Sequence, residues 1–120
     1  MFKVEFISIE DDDKDLILSF VIPAKETGVR SLILLRTLLY EGFLPEYERG
    51  VKVSLEGDVY DEQDYNMLSK IDISGNKIRI YSTYREYILD VSRVDEGEIS
   101  KATKLLKKQN YDNRFTLQIA

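Results

Sequence analysis

Four isoleucines fix how the middle of this chain can fold. Ile71 and Ile73 alternate with polar residues before Gly75-Asn76, and Ile78 and Ile80 alternate after it. Successive side chains of a strand point to opposite faces, so this spacing places all four on one side of an extended ribbon. A two-residue loop containing glycine matches a primed turn, whose twist suits an antiparallel hairpin. Strands are therefore predicted over Lys70–Ser74 and Lys77–Ser82. A short turn at Tyr84-Arg85-Glu86 leads into Tyr87–Ser92, where Tyr87, Leu89 and Val91 alternate and extend the hairpin into a meander. With Ile78 and Ile80 inward, Arg79 and Tyr81 share the outward face.

The flanking segments follow the same logic. Phe2–Glu10 is predicted as a strand with Phe2, Val4, Phe6 and Ser8 on one face. The acids Glu10, Asp11, Asp12, Asp13 and Asp15 then mark a hairpin tip before a second strand, Leu16–Ile22, that ends at Pro23. In Gly28–Gly42, Val29, Leu32, Ile33, Leu39, Tyr40 and Phe43 follow helical spacing and only Arg36 is off-pattern. Thr27 would cap this helix and Gly42 would end it. The rival is a strand through Ser31–Leu39, since apolar residues fill both of its faces; leucine richness and length favour helix. After a turn at Glu46–Gly50, the residues Val51, Val53 and Leu55 alternate into a strand. Asp61 is read as the cap of a short helix, Glu62–Lys70, with Tyr65, Met67 and Leu68 inward. Asp95 and Glu98 have capping-box spacing, opening a helix to Gln109 that packs Ile99, Ala102, Leu105 and Leu106. Lys101, Lys104, Lys107 and Lys108 occupy its other face, and Phe115, Leu117 and Ile119 alternate into a last strand.

These elements predict an α+β fold: one two-layer domain over residues 1–120, a mostly antiparallel sheet of about five to seven strands with two or three helices packed on it. A more barrel-like version follows if Gly28–Gly42 is strand.

Composition removes whole classes of chemistry. The chain has no cysteine and no histidine. Disulfides, thiolate ligands, Cys nucleophiles, Ser-His-Asp triads and the usual zinc sites are therefore impossible. With 43% hydrophobic and 32% charged residues the chain is neither disordered nor a membrane protein in type. Its longest apolar run, Leu32–Leu35, is far short of the roughly 20 residues that span a bilayer. Absence of a signal-peptide pattern points to a cytoplasmic location. The net charge is −5, but residues 1–76 hold 16 Asp/Glu against 8 Lys/Arg, whereas residues 77–120 hold 6 against 9. Such asymmetry steers a charged partner or a second copy of the chain.

Candidate chemistry is sparse. Asp11, Asp13 and Asp15 have the spacing of the first calcium-loop ligands, but Leu16 and Ile22 stand where that loop needs Gly and Glu. Acids at Glu56, Asp58, Asp61, Glu62 and Asp64 would have to face one another across a cleft to act as catalysts. The isolated glycines form no phosphate-cradling loop. No catalytic residue, metal site or cofactor is assigned. Tyr and Arg residues on a sheet are the side chains that anchor protein interfaces, and Arg79, Tyr81, Tyr84, Arg85 and Tyr87 form such a set. The expected role is thus a non-catalytic protein-interaction, accessory or regulatory module, binding a protein partner or a second copy. The first alternative is nucleic-acid binding through the same strand and the lysine helix, disfavoured by the net acidity. The second is a carboxylate-dependent enzyme around Glu56–Asp64.

Overall fold

The computed structural model describes residues 1–24, 28–57 and 65–120. Within them the elements run β1 (Phe2–Lys3), β2 (Phe6–Asp11), β3 (Asp15–Ala24), β4 (Gly28–Thr37), β5 (Lys52–Leu55), β6 (Leu68–Ser74), β7 (Lys77–Ser82), β8 (Glu86–Asp90), α1 (Glu96–Gln109) and β9 (Thr116–Ile119). They make two sheets, ordered β1-β8-β7-β6-β9 and β2-β3-β4-β5. The expected two-layer α+β fold with two or three packed helices is thereby corrected: among the described residues sheet dominates, and α1 is the single α-helix.

The largest correction is Gly28–Gly42. Instead of a helix, β4 pairs along its whole length with β3 and then with β5. Leu32, Leu34 and Arg36 alternate inward, all fully buried. Residues with apolar neighbours on both faces satisfy either period, and a place between two partner strands decides for the extended form. Only two short 3-10 turns follow, Glu41–Phe43 and Glu46–Glu48. The Glu62–Lys70 helix lies partly outside the described residues, as do the caps proposed at Thr27 and Asp61. Within them, Met67 bridges to Lys52, and β6 begins at Leu68.

Two further expectations shift. Phe2–Glu10 is not one strand: β1 pairs parallel with β8, and β2 pairs antiparallel with β3. Between them Val4 N–H donates to Asp90 O and Glu5 N–H to Val21 O, so the chain steps from one sheet to the other. This step reverses the facing, leaving Phe6 48% exposed and Ile7 buried. At α1, Asp95 is the N-cap residue, but its side chain makes no capping hydrogen bond.

A second junction links the two sheets. On the opposite side Val53 N–H donates to Asn66 O and Leu68 N–H to Val51 O, each at 2.8 Å. The two sheets therefore close on each other in the manner of a barrel, with hydrogen bonds joining β5 to β6 and the continuous chain carrying β1 of one sheet into β2 of the other. Its interior holds one continuous core, including Leu18, Phe20, Leu34, Ile71, Ile80 and Leu89. Each such side chain contributes about 1.5–3 kcal/mol by leaving water. Helix α1 packs against β2 and β3, with Ala102, Leu105 and Leu106 buried. Gln109 Nε2 donates to the main-chain oxygens of Leu16 and Leu34, at 3.0 and 3.1 Å, pinning the helix end to β3 and β4.

Candidate functional site

The outward face of the five-stranded sheet carries the residues singled out by sequence. The turn Gly75-Asn76 fixes the β6–β7 register, pairing Asp72 with Arg79 and Ile71 with Ile80. Gly75 has φ +57, as the first central position of a primed turn requires. Arg79 stands exposed, 3.9 Å from Glu86 on β8. Beside it Tyr81 is half-buried, with the Lys70 ammonium 5.6 Å from its ring centroid. A shallow hollow of about 400 Å³ lies among Asp72, Ser74, Lys77, Arg79 and Tyr81. Tyr84 and Arg85 sit at the turn that ends this ribbon, where Ser82 N–H and Oγ–H both donate to Arg85 O. Tyr84 is 59% exposed, and its N–H donates to Asn66 Oδ1. Tyr87 differs: it is 4% exposed and belongs to the core, on the inward side with Leu89. The structure thus brings Arg79 and Tyr81 together on one face, sets Tyr84 and Arg85 at its end, and turns Tyr87 away.

A second constellation escaped the sequence reading. Arg36 is fully buried at one end of the barrel, in phase with Leu32 and Leu34. Its Nε donates to Glu41 Oε2 at 2.9 Å and its Nη1 to Gln109 O and Asp112 Oδ1, each at 2.7 Å. Nη2 reaches Glu41 Oε1, Asp112 Oδ2 and the Tyr111 hydroxyl. The guanidinium also stacks 4.2 Å from the Tyr111 ring centroid. Burial opposes the charge on Arg36, but hydrogen bonds to Asp112 and Glu41 outweigh it and strengthen its hold on the proton. The same contact, with help from Arg114, holds the Asp112 carboxyl well below the usual carboxylate range. Every N–H of the guanidinium has an acceptor, so no donor is left to polarise a substrate. Arg36 is a clamp that ties β4 to the first 3-10 turn, at Glu41, and to the end of α1. The available signal was a lone arginine at period two in an apolar run.

Around this clamp stands a ledge of exposed side chains: Leu39 (48%), Tyr40 (62%), Phe43 (87%), Tyr47 (72%) and Tyr111 (62%). The acidic β2–β3 tip adjoins it, since Lys14 O accepts the N–H groups of Leu38 and Leu39. Asp12 Oδ1 accepts the N–H groups of Asp15 and Lys14, which lowers its pKa and commits it to shaping the turn. Of the acids considered for carboxylate catalysis, Asp58, Asp61, Glu62 and Asp64 lie outside the described residues. Among the described residues no three acids are placed to hold a metal ion, and no helix is long and apolar enough to cross a membrane. No protein-family model, curated protein or solved structure matches the chain.

Proposed function

We propose that this domain is a non-catalytic protein-interaction module whose contact surface is the outward face of the five-stranded sheet, with Arg79 and Tyr81 at its centre and Tyr84 and Arg85 at its end. One observation carries this: α1 packs on β2 and β3 of the other sheet, so the β6–β8 ribbon keeps an outward face bearing Arg, Tyr and Lys side chains. Arg and Tyr on a rigid sheet present large contact area with little ordering cost, the property of interface hot spots. Tyr87, being buried, supports this surface from below.

The test is quantitative capture from native lysate with the whole chain as bait. A Tyr84→Ala, Arg85→Ala double variant of unchanged thermal stability is expected to lose about tenfold or more of the captured partner, the scale of hot-spot truncation. Equal capture by variant and parent would remove this face from consideration. Capture of oligonucleotides instead, with affinity falling steeply as salt rises, would favour the nucleic-acid alternative.

A further inference from the structure

The barrel end that carries the clamp has two unlike halves. One is the ledge of Tyr40, Phe43 and Tyr47, next to the acidic tip at Asp11, Asp12 and Asp13. The other is a hollow of about 300 Å³ between β2 and α1, floored by Ile9 and Leu105 and rimmed by Lys101, Lys104 and Lys108, with Asp11 at its edge. They meet at the ion pair between Lys108 Nζ and Asp11 Oδ1, 2.6 Å long.

We propose that a second copy of this chain occupies this end: the aromatic, acidic half of each copy seats on the lysine-rimmed hollow of the other. The chemistry of each half is the complement of its neighbour. Phe43 is the most exposed large apolar side chain among those described, and it stands on a short turn held by the Arg36 clamp through Glu41. A rigidly presented phenyl ring loses little freedom on burial, and the hollow offers it an apolar floor. The exposed carboxylate of Asp13 then faces lysines, which offsets the charge of a tip of consecutive acids. Because both halves lie side by side, a two-fold axis between them makes each contact twice, the usual closed form of a small homo-oligomer. This pairing uses neither Arg79 nor Tyr84, so it leaves the sheet face open and stands independently of the function proposed for it.

Sedimentation velocity of the full chain, over a concentration series at low and high salt, tests this. A monomer–dimer equilibrium that weakens with salt is expected. Phe43→Ala should raise the dissociation constant about tenfold or more, as removal of a buried aromatic anchor does. Asp13→Lys alone and Lys104→Glu alone should each weaken self-association, and an equimolar mixture of the two should recover it as a heterodimer. The Tyr84→Ala, Arg85→Ala variant should sediment as the parent. A parent that stays monomeric at the highest concentration, or a dimer indifferent to Phe43→Ala and to the charge changes, would overturn the proposal. All three side chains are exposed, so near-parental circular dichroism is expected of each variant, and a shift caused by unfolding would be seen there.

Discussion

Arg36 is an arginine that fully occupies itself. Removing it leaves the buried Glu41 carboxylate without its cation, Asp112 with Arg114 alone, and Gln109 O without its donor. Breaking a buried pair in this way costs about 3–5 kcal/mol, far more than an exposed pair is worth. Arg36→Met is expected to lower the unfolding free energy by that amount, measured by urea denaturation. Arg36→Lys should be destabilised too, because an ammonium cannot reproduce the planar fork that grips two carboxylates. Asp112 gives the clamp a pH dependence. Its folded pKa is depressed by Arg36 and then Arg114. Its contribution is therefore complete above the unfolded value of about 3.9 and fades as pH falls below that toward the folded value. Asp112→Asn should accordingly be less stable than the parent at neutral pH, with the gap closing in acid; a gap that stayed constant from neutral pH to about pH 2 would contradict the assignment.

At the scale of elements, the isoleucine hairpin shows how local rules succeed. Gly75 at φ +57 has open space where a Cβ would stand, so Gly75→Ala is opposed by backbone strain alone. A loss of about 1–2 kcal/mol is expected in thermal unfolding. Strict period two on either side of a glycine turn left β6, β7 and β8 legible, and lysine-rich amphipathic spacing did the same for α1. Gly28–Gly42 failed for a physical reason. Leu32 and Leu34 face the core while Ile33 and Leu35 half-cover the other face, so no polar residue broke the helical pattern except Arg36. What settles the matter is pairing on both sides, with β3, which ends at Ala24 just before Gly28, and with β5, which begins only at Lys52, and spacing within the segment does not display it. Gly50 shows a different kind of blindness. Its φ of +115 and the approach of Arg114 Cδ to within 3.3 Å of an added Cβ follow from the clamp, which sequence does not display. The surface set was half legible: alternation placed Arg79 and Tyr81 outward, and the same alternation, followed through Leu89, places Tyr87 inward. The exposed ledge was not legible, because Tyr40 and Phe43 match an apolar helix face as well as a protruding turn.

The whole molecule unites two sheets around one core, and its stability should be shared accordingly. Phe20 belongs to the four-stranded sheet, is fully buried, and contributes to the cluster that also holds Ile71 and Leu89. Phe20→Ala is expected to cost about 3–5 kcal/mol. Hydrogen exchange should then quicken at the slowest amides of β6 and β7 as much as at those of β3, since both open through global unfolding. Protection lost in one sheet and kept in the other would show two separable units. The parallel pairing of Phe2 with Leu89 has a consequence for biosynthesis. A chain leaving the ribosome makes β1 well before β8, and β1 has no neighbour in its sheet until residue 89 has emerged. During that interval the seam stands open, offering unpaired amides to any chaperone or sister polysome chain, and a pause in translation before residue 89 would lengthen the exposure.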